Sequence, residues 1–153
     1  MSENININVN YPGPNNGYNN APVGQLKTNK GLLKYILLSL ITFGIYGIVV
    51  MCSVSSDINI TASRHDGKNT MNFFLCAFLS SFVFFIPLIV WYHRISNRMG
   101  NELRRRNIAY SFSATDFWLW EVLGSLIIIG PFVYLYKMFQ ACNKINMHYN
   151  VNG

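Results

Sequence analysis

The stretch from Gly124 to Lys137, GSLIIIGPFVYLYK, places a glycine and a proline inside one of the most apolar runs in the chain. Proline within a helix removes a backbone hydrogen bond, and its ring collides with the preceding turn. The arrangement recurs, because Pro87 lies 44 residues before Pro131 and Gly44 lies 43 residues before Pro87. We therefore expect an internal repeat of three units, each carrying a helix breaker.

The charges of the chain are confined to a few segments. Only 12% of the 153 residues are charged and 51% are apolar, whereas a soluble domain usually carries about 25% charged residues. Three long windows contain no Lys, Arg, Asp or Glu, and each approaches or exceeds the roughly 20 residues with which a helix crosses a bilayer. The sequence therefore predicts an all-α integral membrane protein with spans over residues 32–54, 72–92 and 117–138.

Two geometries fit a breaker inside an apolar run. A re-entrant hairpin turns back at the breaker and leaves every loop on one side of the membrane, whereas a kinked helix continues across. The apolar arm after Pro87 is much shorter than the arm before it, and such unequal arms favour the second geometry. The prediction is three kinked transmembrane helices, with kinks at Gly44, Pro87 and Pro131.

The first thirty residues differ from the rest in composition. They are rich in Asn, Gly and Pro and poor in residues that fill a core, which predicts a disordered tail over 1–30 before a membrane domain over 31–153. A prion-like or adhesive role for the asparagines is an alternative. The start lacks the pattern of a cleaved signal peptide, so we expect the first span to serve as the insertion signal.

Positive charge predicts the orientation. Three spans place the termini on opposite faces, and cytoplasmic loops carry an excess of Lys and Arg. Eight such residues flank one face (the N-terminal flank and the 94–106 loop) and four flank the other, two of them Arg64 and Lys68. The prediction is a multi-pass protein of the cell (cytoplasmic) membrane with its N-terminus in the cytoplasm.

The second loop, RISNRMGNELRRR, predicts an amphipathic cytoplasmic extension of the second span that rests on the membrane surface among lipid headgroups. Ile95, Met99 and Leu103 recur every four residues along one stripe. The arginines beside it are expected to bind anionic lipid headgroups or to dock a protein partner; without interleaved aromatic residues, nucleic-acid binding is not expected. After the loop, Ser113 and Asp116 have the spacing of a capping box. The predicted contact residues are Arg94, Arg98, Arg104, Arg105 and Arg106.

Few side chains within the spans carry chemistry. Glu121 lies about a turn inside the third span, where it is expected to snorkel; a proton or ion site is the alternative. The three cysteines, Cys52, Cys76 and Cys142, lack metal-ligand spacing and are expected to behave as small apolar residues, with palmitoylation of Cys52 or Cys142 as the alternative. No cofactor or metal is expected.

Several phrases together resemble a known family. ITFGIY (41–46), WYHRISNRMGNEL (91–103) and TDFWLWEVLGSLIIIGPFVYLYK (115–137), followed by NKIN and HYN, are similar to the bacterial membrane family catalogued as domain of unknown function 4234. The resemblance covers about residues 31–150. Members usually follow the Gly-Ile-Tyr with tryptophan and a basic residue, whereas this chain has apolar residues at 48–51. The family has no established activity, so the resemblance implies the membrane fold and no mechanism.

Two classes of function fit these features. The first is a small non-enzymatic membrane component, either self-associating or accessory to a larger complex, because small residues such as Ser81 and Gly124 permit close helix contact. The second is an oligomeric transport or pore-forming protein. An enzyme is not expected, since the sequence presents no nucleophile–base pair or phosphate-binding loop. The expected partners are the lipid bilayer and a second copy or another membrane protein.

Overall fold

The computed structural model describes residues 22–153, and this part of the chain is all-helical, without strands. The disordered tail expected over residues 1–30 therefore lies mostly outside the described residues. A π-helical segment (Phe117–Leu123) and a 3₁₀ turn (Gly124–Leu126) lie before the last of the helices. The helices are α1 (Leu32–Ile41), α2 (Ile45–Asp66), α3 (Phe73–Ser80), α4 (Ile86–Arg105), α5 (Ala114–Asp116) and α6 (Gly130–Asn152).

The helices form three antiparallel hairpins, and the first joins α1 to α2. The chain reverses at residues 42–44, where Gly44 adopts the left-handed backbone (φ 90°) that glycine tolerates. Beyond the turn the arms lie against each other: a Cβ atom on Gly47 would be 3.0 Å from Ser39 Oγ and 3.2 Å from Tyr35 Oη. Gly47 and Tyr35 are twelve residues apart in sequence, so this contact requires the chain to fold back.

The second and third hairpins reverse in the same way. In the second, the ring centroids of Phe73 on α3 and Trp91 on α4 are 4.9 Å apart. In the third, the π-helical segment packs on α6, with Phe117 and Tyr134 centroids 5.8 Å apart. Near its turn a Cβ on Gly130 would lie only 2.3 Å from the Gly124 carbonyl carbon, so two backbones touch where the chain reverses.

The residues predicted as kinks lie at helix starts. Gly44 is the N-cap of α2, and Pro87 and Pro131 occupy the first turns of α4 and α6. A proline there breaks no hydrogen bond, because first-turn N–H groups have no intrahelical partner. Unequal arms do not prevent pairing, since each longer helix continues past its shorter partner. The prediction of three continuous kinked helices, over residues 32–54, 72–92 and 117–138, is therefore wrong.

The three long helices α2, α4 and α6 form the core and run in the same direction. Each begins at a hairpin turn, and their C-terminal halves meet around Arg106, which contacts Thr61 of α2 and His148 of α6. All three turns therefore lie at one end of the molecule, which we call the apolar tips (residues 41–45, 81–86 and 126–129). The opposite end is the polar base (residues 22–31, 57–72, 96–113 and 142–153).

The stripe predicted to rest among lipid headgroups lies inside this core. Ile95, Met99 and Leu103 are essentially inaccessible to solvent and belong to the buried cluster shared by the long helices. The amphipathic period of α4 is real, but a periodic apolar face packs equally well on neighbouring helices. The expectation of an amphipathic helix lying on the membrane surface is therefore corrected.

Candidate functional site

Large apolar side chains cover the tips without covering each other. Phe43 is 98% exposed, Phe84 is 91% exposed and Ile128 is 81% exposed. Phe43 and Phe84 also have positive φ angles of 50° and 36°, a backbone region that bulky residues rarely occupy. Such residues contact little of the described chain, so the tips form an apolar surface open to an outside environment.

The length of the short arms limits how deep the tips reach. The ten residues of α1 span about 15 Å and the eight of α3 about 12 Å, at 1.5 Å per residue. The hydrocarbon core of a bilayer is about 30 Å thick. Within residues 22–153, one helix, Ile45–Asp66, is by length and composition able to cross a membrane. This is weak evidence, because a core helix of a soluble protein has the same properties and much of this one is buried.

Arg98 ties the loop after α2 to α4. Its Nε and Nη2 donate to the two carboxylate oxygens of Asp66 at 2.8 and 3.1 Å, and Nη1 donates to Asn59 Oδ1 at 2.7 Å. Nη2 also donates to the Lys68 carbonyl. Desolvation alone would raise the pKa of Asp66, but the hydrogen bonds from Arg98 and the Lys68 amide hold it below its ordinary value.

This contact corrects two expectations. Arg98 is almost fully buried and its donors are taken up by the protein, so it is not a headgroup contact. The 64–68 segment was expected on the opposite face from the 94–106 loop, yet Asp66 and Arg98 form an ion pair. Both segments therefore lie in the polar base.

Arg106 joins the ends of the three long helices. Its Nε donates to Glu102 Oε1 at 2.7 Å and its Nη2 to the Thr61 carbonyl at 3.2 Å. Its Nη1 lies 3.0 Å from His148 Nδ1. Because a guanidinium group only donates hydrogen bonds, His148 Nδ1 is the acceptor. Burial lowers the pKa of His148 and Arg106 lowers it further. Arg106 is buried, so the expected headgroup contact is corrected here too.

The other three predicted arginines remain exposed. Arg105 pairs with Glu102, and Arg104 donates to Asn101 Oδ1 at 2.6 Å. Arg94 lies at a small cavity between α3 and α4. For Arg94, Arg104 and Arg105, contact with headgroups or with a partner stays a prediction.

A ladder of asparagines on α6 holds the segment 22–31, which we call the strap. Asn143 exchanges two hydrogen bonds with the Lys30 backbone, at 3.0 and 2.7 Å, and Asn150 does the same with Leu26, at 2.7 and 2.8 Å. Between them, Asn146 Nδ2 donates to the Lys27 carbonyl at 2.8 Å. Residues 22–30 are thus bound along a helix, which corrects the part of the expected disordered tail that the structure describes.

A buried ion pair fixes the strap to the core. Lys30 Nζ lies 2.5 Å from Asp57 Oδ2, and both side chains are over nine-tenths buried. Asn146 Nδ2 donates to the same oxygen at 2.6 Å, and Cys142 Sγ lies 3.8 Å away. Burial raises the pKa of the Cys142 thiol to about 12. Nothing in the sequence pattern pairs Lys30 with Asp57, so sequence reasoning missed this cluster.

Ser113, Asp116 and Glu121, which the sequence analysis also named, lie in or beside the third hairpin. The capping box of Ser113 and Asp116 is confirmed, and Asp116 also pairs with Lys137. Glu121 lies on the π-helical segment, a type of segment often found at functional sites. Glu121 is half-buried, and one of its carboxylate oxygens is buried without a hydrogen-bond partner in residues 22–153. Its role as an ion or proton site stays a prediction.

The cysteines are unpaired with one another. Cys76 and Cys142 are buried, while Cys52 is half-buried and donates to Asn72 Oδ1 at 3.1 Å. Within residues 22–153, no group of three or more His, Cys, Asp or Glu side chains is placed to hold a metal ion. Palmitoylation of Cys52 stays a prediction, whereas burial of Cys142 leaves its thiol inaccessible.

The fold and site define a class of protein, namely an all-helical hairpin protein with an apolar end and an ion-paired polar end. Residues 30–101 match the family model described as Domain of unknown function (DUF4234), so the resemblance to this family is confirmed over that region. The matched region covers the first hairpin, α3 and most of α4. No curated protein and no solved structure matches the chain.

Proposed function

We propose that the protein is a non-enzymatic membrane component that inserts its three hairpins into the bilayer from one side. The observation that carries this proposal is the set of exposed apolar side chains at the tips. The tips, which belong to three separate hairpins, share one end of the molecule. A soluble monomer rarely leaves such a surface open to water.

The depth of insertion follows from the arm lengths. Arms of about 12–15 Å reach roughly the middle of a hydrocarbon core about 30 Å thick. Crossing would draw the base of α2 into the bilayer, including the charged Asp57 and Asp66, at a cost of about 2.5–3.5 kcal/mol for a charged residue at the bilayer centre. Re-entrant hairpins avoid this cost, so they are favoured over complete crossing.

Burying the tips in lipid supplies enough free energy for stable attachment. A fully buried Phe, Leu or Ile side chain contributes about 1.5–3 kcal/mol. Phe43, Phe84, Leu126 and Ile128 are at least four-fifths exposed in the protein alone, and four such side chains give about 6–12 kcal/mol. Around the arms, exposed Trp118 and Tyr136 are suited to the interfacial belt of a membrane protein.

The charge of the base supports a cytoplasmic side for both termini. The protein carries a net charge of +6, and the exposed Lys and Arg residues of the base suit the anionic cytoplasmic leaflet. We propose the cell membrane as its location, with the N-terminus, the 64–68 segment and the 94–106 loop on the cytoplasmic side. We also propose that the hairpins derive from one repeated unit.

The cellular role that suits this architecture is an accessory or self-associating one. Exposed faces of the hairpin arms, such as Phe74 and Phe78 on α3, are available for contact with a second copy or another membrane protein. The alternative of an oligomeric transport or pore-forming protein receives less support, because arms that reach mid-membrane do not line a complete path. Ion flux in liposomes distinguishes the two.

The experiment compares two triple variants of the tips. Phe43→Asp, Phe84→Asp and Ile128→Asp together place three charges in the proposed hydrocarbon region, whereas leucine at the same positions preserves the apolar surface. These side chains contact little of the protein, so the fold is expected to survive both. In liposome flotation, the leucine variant should float with the lipid and the aspartate variant should not. Equal flotation of both would contradict the proposal.

A further inference from the structure

A cavity of about 270 Å³ lies between the strap and the first hairpin. One side is formed by the strap and the start of α1, and the other by α2. The lining combines three lysines, the hydroxyl-bearing side chains of Tyr46 and Ser53, and the apolar side chains of Val49 and Val50. A cavity with this mixed lining suits a ligand that has both an anionic group and an apolar part.

Three lysines reach this cavity, and two of them are available to a ligand. Lys30 Nζ is engaged by Asp57, which neutralises its charge. Lys27 and Lys34 form no ion pair within residues 22–153. Because the carboxylate of Asp57 is already shared between Lys30 and Asn146, the cavity keeps two uncompensated positive charges.

The backbone around these lysines is held in place. The Lys27 carbonyl accepts from Asn146 and the Lys30 backbone is bound by Asn143, so the strap presents its lysines from a fixed path. Gly31 is the N-cap of α1 and provides no side-chain cap, and the free N–H groups of a helix's first turn attract anions. Lysine ammonium groups and a helix N-terminus are both common partners of phosphate.

The cavity also lies at the right depth for a lipid headgroup. Gly31 and Lys34 lie at the start of α1, which is about 15 Å long from there to the tip. If the tips reach the middle of the bilayer, the start of α1 lies at the boundary between hydrocarbon and headgroups. We propose that this cavity binds a phosphate-bearing anion, with Lys27 and Lys34 as its charged ligands; the placement at headgroup level rests on the proposed insertion.

The experiment measures ligand binding to the full chain in mild detergent by native mass spectrometry. Three probes separate the possible sources of the phosphate: short-chain phosphatidic acid, short-chain phosphatidylcholine and inorganic phosphate. The test variant is Lys27→Gln with Lys34→Gln. The control, Lys68→Gln with Lys144→Gln, removes the same charge from lysines outside the cavity. Flotation with phosphatidylcholine liposomes, run in parallel, tests membrane insertion by itself.

We expect the unaltered chain and the control to bind phosphatidic acid at least tenfold more tightly than phosphatidylcholine, and the test variant to lose about tenfold. Inorganic phosphate competing at similar affinity supports the site and assigns it to the free anion. Equal binding by test and control variants overturns the inference. Failure to float with neutral liposomes would refute the proposed function separately, since it does not involve the lysines.

Discussion

Replacing Gly130 with alanine places a methyl group where two backbones meet. The added Cβ would lie 2.3 Å from both the carbonyl carbon and the carbonyl oxygen of Gly124, whereas ordinary contact begins at 3.4 Å. The obstacle is backbone, so no rotamer change relieves it, and the two arms of the third hairpin must separate. Overpacking of this kind costs about 1–3 kcal/mol.

The two geometries of the third apolar run predict opposite signs for this substitution. In a continuous helix, residues 124 and 130 are about 9 Å apart along the axis, so they do not touch, and alanine is the better helix former by about 1 kcal/mol. In the hairpin, the substitution destabilises the folded protein because the added methyl group collides with the Gly124 backbone. At about 2–4 °C per kcal/mol for a chain of this size, the hairpin predicts a lower thermal midpoint by several degrees.

The assay is thermal unfolding of the detergent-solubilised protein, followed by circular dichroism. Gly24→Ala is the matched control, because a Cβ there meets nothing within 4 Å, and its midpoint should stay close to that of the parent. A midpoint for Gly130→Ala equal to or above that of the parent would refute the close contact of the two glycines. That result would favour a continuous kinked helix over a hairpin for residues 117–138.

Three further outcomes are expected. Because the pKa of His148 is lowered from 6.5 in the folded state, the unfolded chain takes up a proton at a higher pH than the folded chain does. The contribution of His148 to stability should therefore be complete above pH 6.5 and decrease as the pH falls. Chemical denaturation at pH 7 and pH 5 measures this decrease, which should be smaller in His148→Gln. Asn143→Ala with Asn150→Ala should speed tryptic cleavage within the strap, as mass spectrometry of time points shows, whereas Asn152→Ala should not. Pro131→Ala should move the thermal midpoint by less than Gly130→Ala, since a first-turn proline breaks no hydrogen bond.

Local patterns predicted the positions of the breakers but not the direction of the chain after them. Gly44, Pro87 and Pro131 stand out in the sequence, and each begins a helix as their chemistry requires. Whether the chain then continues or reverses depends on contacts between arms, such as Gly130 on Gly124. Those contacts join residues on either side of a turn, and apolar composition fits both outcomes.

The buried arginines were missed for a related reason. A run of arginines beside an apolar stripe has the same appearance whether it faces lipid or folds inward. Arg98 and Arg106 are buried because Asp66, Glu102 and several carbonyl groups converge on them, and such partners come from distant parts of the chain. The capping box of Ser113 and Asp116 needed only local spacing, and it was predicted correctly.

The central claim, that all three hairpins enter the membrane from one side, is tested most directly by cysteine accessibility in intact cells. Lys68→Cys and Ala109→Cys, both exposed positions of the base, are made singly in a Cys52→Ser background and treated with an impermeant maleimide. The account predicts that neither is labelled in intact cells and that both are labelled after permeabilisation. Labelling of Lys68→Cys but not Ala109→Cys in intact cells would place the two loops on opposite faces and contradict the re-entrant hairpins.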